Sequence, residues 1–456
     1  MLGKDERPLR VAVIGSGPAG FYATEALLVA AHNVRVDLFD NLPAPFGLVR
    51  YGVAPDHPKI KNVIKVYERT ASRPGFYFFG NVTVGRDISV TELRHYYDAV
   101  IFTNGAQTDR RLGIPGEDLS GSYTATEFVA WYNGHPDYLN HVFDLSHPVA
   151  VVIGQGNVAV DVARVLCKTV DELKHTDIAA HALEVLAESH IKEIHMIGRR
   201  GPAQAAFTPP EIKEFGDLED CEPVVTPSDL ELNPASLEEL EKNRQAKKNV
   251  NTLFEFSARK PGSKSRRFVV HFFESPIELI GDRRVERIRI EKNALSGEAG
   301  KQKARGTGET FELECGPFFR SVGYRGLAMD GVPFHKAWGV YPNEAGRITE
   351  DGKVVAGLYA AGWIKRGPSG VIGTNKPDAI ETVKNVLADM SGLSPCESPD
   401  SDAVLALLVE RGVQVVQYDD WLHIDAVEVE RGEKVGKPRE KLVTIEEMLQ
   451  AARTGG

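Results

Sequence analysis

V11-A-V-I-G15-S-G17-P-A-G20 carries a β-branched apolar run straight into a helical stretch, and V34-R-V-D-L-F-D40 follows, ending in a carboxylate. Closing a strand into a helix this tightly takes glycine twice: once for the turn, and once so that backbone N–H groups at the positive helix end can approach a pyrophosphate. The pattern returns as V151-V-I-G154-Q-G156-N-V-A159, and the strand after it, I191-K-E-I-H-M-I-G-R199-R200, ends in two arginines. A carboxylate at such a strand end accepts ribose hydroxyls, whereas arginine meets a 2′-phosphate. Asp40 therefore suits FAD or NAD, and Arg199 with Arg200 suits NADP. The arginine pair lies about 40 residues past its turn where the motif expects about 20, because two helical stretches fill Val160–His190.

Each turn sits between a strand and a helix, so the expected class is α/β, with two Rossmann-like, three-layer nucleotide-binding domains. A chain of 456 residues exceeds one ordinary core. Hydrophobic residues make up 42% and charged residues 26%, with no apolar run of membrane-spanning length. No membrane insertion is expected, and the first strand opens near Leu9, which leaves no room for a leader; a cytoplasmic location is the simplest expectation. Cys167, Cys221, Cys315 and Cys396 form no C-x-x-C pair, so no metal site, iron–sulfur cluster or redox dithiol is expected. The net charge of −10 argues against nucleic acid.

Along the chain, a Pro- and Gly-rich loop occupies 41–75, and F76-Y-F-F and D98-A-V-I-F read as strands of the first sheet. F268-V-V-H-F-F, P276-I-E-L-I and V285-E-R-I-R-I read as one small antiparallel unit. A356-G-L-Y-A-A-G-W returns as another buried strand, followed by W363-I-K-R-G-P-S-G-V-I-G-T-N and a helix from about Asp378 to Met390. This third strand-to-helix junction can offer further backbone N–H groups to a cofactor. The expected division is a discontinuous first domain, 1–108 and 325–393, with the second nucleotide domain, 109–324, inserted and 394–456 a C-terminal extension without a chemical reading.

With G15-S-G-P-A-G, P45-F-G-L-V-R-Y-G-V-A-P-D-H-P-K, G154-Q-G-N-V-A-V-D, G198-R-R-G-P-A-Q-A-A-F-T, S321-V-G-Y-R-G and the third junction in view, the chain resembles the adrenodoxin reductase family of NADPH-ferredoxin reductases over residues 9–392. The resemblance implies that the first domain holds FAD non-covalently and the inserted one NADPH/NADP+. It places Gly15, Gly17, Pro18, Ala19, Asp40, Leu48, Val84, Trp363, Gly370, Val371 and Ile372 at FAD. It places Arg110, Gln155, Gly156, Asn157, Val158, Arg199, Arg200 and Glu211 at NADPH. Asp40 departs from the family's usual Glu, and this shorter carboxylate is expected to contact only one hydroxyl.

Hydride transfer between such cofactors needs alignment rather than a side-chain acid. The candidate catalytic groups are His57, in the rigid loop P55-D-H-P58, and Glu214, three residues after Glu211 and on the same helix face. A plainer reading of T208-P-P-E211 is a capped helix start, with Glu211 as capping-box partner. The implied electron acceptor is an acidic iron–sulfur ferredoxin, for which K242-N-R-Q-A-K-K248 and R259-K-P-G-S-K-S-R-R267 offer a basic face, with Lys264, Arg266 and Arg267 among its cations. A monomer is expected. The alternative is another two-nucleotide flavoprotein, of the glutamate synthase small-subunit or diaphorase type; the first would carry a cysteine-rich domain that this chain lacks.

Overall fold

The computed structural model describes residues 2–4, 6–260 and 262–453. The chain divides into two compact units: Met1–Val53, His57–Thr108 and Gly323–Gly456 form the first, Ala54–Asp56 and Asp109–Val322 the second.

Among the described residues the first unit has a seven-stranded sheet, in the order Asn343–Glu344, Arg347–Glu350, Lys353–Ala360, Ala99–Phe102, Leu9–Ile14, Val34–Phe39, Phe76–Phe79. The last five strands are mutually parallel, and the first two form an antiparallel edge. Leu9–Ile14 and Ala99–Phe102 are buried at every position, as central parallel strands covered on both faces must be. Helix Pro18–Leu28 packs on helix Asn375–Asp389, which begins three residues earlier than its sequence suggests. Pro377 falls in its first turn, where a missing N–H costs no hydrogen bond.

Residues 394–456 are part of this unit rather than an extension of it. Gly80 and Val416 exchange backbone hydrogen bonds at 2.8 and 3.0 Å, and Trp421, 2% exposed, stands edge-on to Phe46 with ring centroids 5.7 Å apart. The expectation of an appended tail fails because its apolar residues complete a core that the rest of the unit leaves open.

Among the described residues the second unit has a sheet of six parallel strands in the order Ser122–Thr124, Phe318–Arg320, Val149–Ile153, Glu193–Ile197, Arg266–His271, Cys221–Val225. Arg266–His271 is thus a parallel core strand, not a member of the antiparallel unit that its neighbours in sequence suggested. Burial of Phe268 and Val270 between flanking strands outweighs proximity along the chain. The antiparallel sheet is Glu274–Ile280, Arg287–Ser296 and Lys303–Glu314. Helix Asn157–Cys167 packs against the parallel sheet and ends where Arg266 donates to the carbonyls of Leu166, Cys167 and Lys168 at 3.3, 3.2 and 2.6 Å. A cation at a helix C-terminus satisfies carbonyls the helix itself cannot.

Beneath the first sheet, Arg10 and Asp37, both fully buried, pair at 2.9 Å, while Tyr97 donates its hydroxyl to Asp37 at 2.6 Å and Arg10 reaches the Ser401 hydroxyl at 2.5 Å. Removing one partner strands the other charge in the core, which costs about 3–5 kcal/mol. Asp37→Ala is therefore expected to lower the urea midpoint by that amount of stability, and Arg10→Met with Asp37→Leu to recover most of it. A single mutant as stable as the parent would remove this network from the fold's supports.

Candidate functional site

The first turn is built by exclusion. Gly15 has φ +109°, and a Cβ there would sit 2.8 Å from the Thr103 carbonyl oxygen; at Gly17 a Cβ would meet nothing within 4 Å. The turn is therefore closed against the next strand and open on its outer side. Gly17 is the N-cap of helix Pro18–Leu28 and supplies no side-chain cap, so the first N–H groups of an eleven-residue helix face that opening. Asp40, 9% exposed, ends the second strand and accepts from the Ser16 N–H and hydroxyl at 3.0 and 2.5 Å and from the Leu42 N–H at 3.0 Å. Burial pushes its pKa up against these hydrogen bonds. A carboxylate offers about four acceptor positions, so with three taken, Asp40 has about one to give a ribose hydroxyl.

The third junction closes on the first. Gly362 has φ +78°, and a Cβ there would lie 2.6 Å from the Cβ of Ala19, so the chain leaving strand Lys353–Ala360 runs against the helix start at Pro18. Its N–H donates to Asp378 at 2.5 Å, which ties the junction to helix Asn375–Asp389. Trp363 follows, stacked on Tyr324 at 5.5 Å, and its indole N–H is buried without an acceptor among the described residues. A buried donor left alone is costly, and a ligand acceptor would satisfy it. Leu48 is 44% and Val371 55% exposed, apolar side chains that a bound cofactor would cover, whereas Val84 is buried; Ile372 is half-buried and Gly370, with φ +80°, exposed.

The second unit repeats the first turn's logic. A Cβ on Gly154, at φ +127°, would lie 2.1 Å from the Ser321 carbonyl oxygen, and on Gly156 would meet nothing within 4 Å. Gly156 is the N-cap of helix Asn157–Cys167, again without a side-chain cap. Gln155 donates to the His271 carbonyl at 2.8 Å, and Asn157 accepts from the Thr208 N–H at 2.8 Å. Both side chains thus brace the turn from outside, leaving the N–H groups at Val158 and its neighbours for a ligand. Arg199 and Arg200 follow strand Glu193–Ile197; their carbonyls are held by Asn293 and Phe273 at 3.1 Å each, while both residues are exposed. Arg200 contacts the Gln204 carbonyl at 3.4 Å, too long to occupy the guanidinium fully. Arg110 is exposed.

Glu211 and Glu214 converge, as their spacing implies, on a residue the sequence reading missed. Arg164, fully buried on helix Asn157–Cys167, binds Asp56 at 2.8 Å, Asp161 at 2.7 Å, Glu211 at 3.2 Å and Glu214 at 3.3 Å. Burial opposes its charge, but the carboxylates of Asp161, Asp56 and Glu214 outweigh burial and hold its pKa well above the ordinary value. Thr208 caps helix Pro209–Lys213 without a side-chain bond, so Glu211 serves Arg164 rather than a capping box. Asp56 is the neighbour of His57, which is half-buried and starts helix Pro58–Lys61 in the first unit.

The basic runs separate into two kinds. Lys264 donates to the Leu218 carbonyl at 2.5 Å and Arg266 caps the helix Asn157–Cys167, so these two are structural, contrary to their reading as a docking face. Arg267 is exposed, 3.7 Å from Glu193. Arg244, Lys247 and Lys248 are exposed on helix Arg244–Ser257, and Arg244 and Lys248 line a groove of about 770 Å³ with Lys213 and Glu255.

Comparison with known proteins agrees with this geometry. The pyridine nucleotide-disulphide oxidoreductase family matches residues 9–200, which span both glycine turns and the arginine pair. The four cysteines are free and buried. The NADPH-ferredoxin reductase FprA of Mycobacterium tuberculosis is 45% identical, covering 97% of this chain and 99% of its own. The mitochondrial NADPH:adrenodoxin oxidoreductase of Salvelinus fontinalis is 43% identical over 97% and 91%. Among solved structures, Mycobacterium tuberculosis FprA in complex with NADPH superposes with a TM-score of 0.92 at 44% identity, covering 98% of this chain and all of that one. The likeness runs beyond residue 392, where the sequence motifs stop, into the C-terminal helices that complete the first unit. The chain belongs to the adrenodoxin reductase family of NADPH-ferredoxin reductases.

Proposed function

We propose that this chain is an FAD-containing NADPH–ferredoxin reductase, which takes a hydride from NADPH and delivers single electrons to an iron–sulfur ferredoxin. The observation that carries the reading is the pairing of two nucleotide turns, each open at its second glycine and uncapped at its helix start, with opposite charges at their strand ends. When bound, the flavin supplies the conversion of a two-electron donor into two one-electron deliveries. The side chains bind and orient. Asp40, Pro18 and Ala19 at the first turn hold FAD, with Leu48, Val84, the Trp363 indole and the backbone of Gly370, Val371 and Ile372. Gln155 to Val158 present the second turn to the NADPH pyrophosphate, Arg199 and Arg200 bind its 2′-phosphate, and Arg110 and Glu211 complete that site.

Arg164 fixes how Glu211 and Glu214 are aimed. His57 and Glu214 are the groups proposed to tune hydride transfer. The ferredoxin face is proposed to be the exposed row Arg244, Lys247 and Lys248 together with Lys213; positive charge concentrated on a chain of net charge −10 steers an acidic partner to one place. The family model's range, 9–200, also fits a plain NADPH diaphorase, and reduction of ferredoxin separates the two readings.

Arg199→Ala with Arg200→Ala is expected to lose about 1.5–3 kcal/mol in kcat/KM for NADPH per charge-assisted contact removed, and little for NADH. Steady-state reduction of ferricyanide with each coenzyme measures this; equal losses for both would detach the pair from the 2′-phosphate. Arg244→Gln, Lys247→Gln and Lys248→Gln combined are expected to flatten the salt dependence of cytochrome c reduction through ferredoxin while leaving ferricyanide reduction unchanged. An unaltered salt dependence would move the docking face elsewhere.

A further inference from the structure

The segment Phe46–Tyr51 holds an unfavourable backbone against the first turn. Phe46 has φ 85° and Gly47 φ 47°, the Phe46 N–H donates to the Ser16 carbonyl at 3.1 Å, and a Cβ on Gly47 would lie 2.9 Å from the Cα of Gly17. A left-handed non-glycine residue persists only where its surroundings over-determine it. Local sequence does not supply that restraint: the helix Leu48–Tyr51 is one turn long and has no side-chain cap.

The restraint comes from the other end of the chain. Arg50, 4% exposed, is gripped by Glu428, fully buried on helix Tyr418–Val435, in a bidentate pair at 2.8 and 2.5 Å. Glu428 also accepts from the Leu442 N–H at 2.9 Å and from Arg439 at 3.2 Å, and Lys441 donates to the Arg50 carbonyl at 3.2 Å. The Arg50 guanidinium lies 5.3 Å from the Trp421 ring centroid, and Trp421 in turn packs edge-on to Phe46. Burial opposes ionisation of Glu428, but Arg50 outweighs it and holds the pKa below the usual carboxylate range. Replacing such a pair by apolar residues can be neutral for stability; a planar two-point fork, by contrast, fixes orientation. Two carboxylate oxygens, each with a second donor, set where Arg50 sits, and Arg50 belongs to the same four-residue helix as Leu48.

We propose that the helix Tyr418–Val435 is a clamp on the segment Phe46–Tyr51, with Glu428 a positioning residue that holds this segment against Gly17 through Arg50. This rests on the reading of the first turn as the FAD site. Its consequence is that FAD affinity, not only fold stability, depends on a residue far from the first turn in sequence.

The test compares the parent with Glu428→Gln and Arg50→Lys, each stripped of flavin and reconstituted with FAD. Flavin fluorescence measures Kd, the visible absorption band reports the flavin's surroundings, and circular dichroism reports melting of the flavin-free protein. We expect both variants to bind FAD at least tenfold more weakly with an altered visible band, and Glu428→Asp to recover part of the affinity. Arg50→Lys keeps the charge and loses only the fork, so it carries the test if Glu428→Gln does not fold. Unchanged Kd and spectrum in a variant whose flavin-free melting has dropped would reduce the clamp to a structural prop and overturn the proposal. A parent protein that binds no FAD would instead overturn the reading of the site on which the clamp rests.

Discussion

Both nucleotide turns depend on one steric constraint: a strand leaves its sheet so close to a neighbouring chain segment that no side chain fits. At Gly15 the obstacle is the carbonyl of Thr103, and at Gly154 that of Ser321. Because the chain turns there within a few residues, the following helix begins without a capping side chain, and its first N–H groups remain available to an anion. In each unit the second glycine leaves empty space where a phosphate would stand. The binding property is therefore a by-product of closing the turn, and the side chains around it mostly brace it. Gln155 and Asn157 do so in the second unit, and Asp40 in the first through Ser16 and Leu42.

What distinguishes the two units is the electrostatics of the next strand's end. Asp40 is buried and nearly saturated by the chain's own donors, which leaves it a narrow task suited to a cofactor that stays bound. Arg199 and Arg200 are exposed and held in place mainly through their backbone carbonyls. Exposed guanidiniums suit a ligand that must come and go, because capture and release then need no unpacking of the core.

The turns, the acid and the arginine pair were legible in the sequence because each is a local pattern whose chemistry needs neighbours along the chain. Arg164 was not legible: within V158-A-V-D-V-A-R-V it reads as half of a local pair with Asp161 on an otherwise apolar helix. Its other partners, Asp56, Glu211 and Glu214, arrive through the fold alone. The same holds for Arg50 and Glu428, 378 positions apart, and it is why residues 394–456 looked like an appendage. Lys264 and Arg266 misled in the opposite direction. A run of cations reads as a solvated face, yet these two are spent on backbone carbonyls. Helix N-termini announce themselves by glycine, whereas a cation that caps a helix from a distant strand leaves no local mark.

On the proposed function, the first unit keeps a flavin and the second binds NADPH. Anaerobic stopped-flow mixing of the purified protein with one equivalent of NADPH tests this most directly. The expected result is a yellow protein, releasing about one FAD per chain on denaturation, whose visible band bleaches rapidly with NADPH and far more slowly with NADH. A colourless protein, or a flavin that stays oxidised in the presence of NADPH, would contradict it.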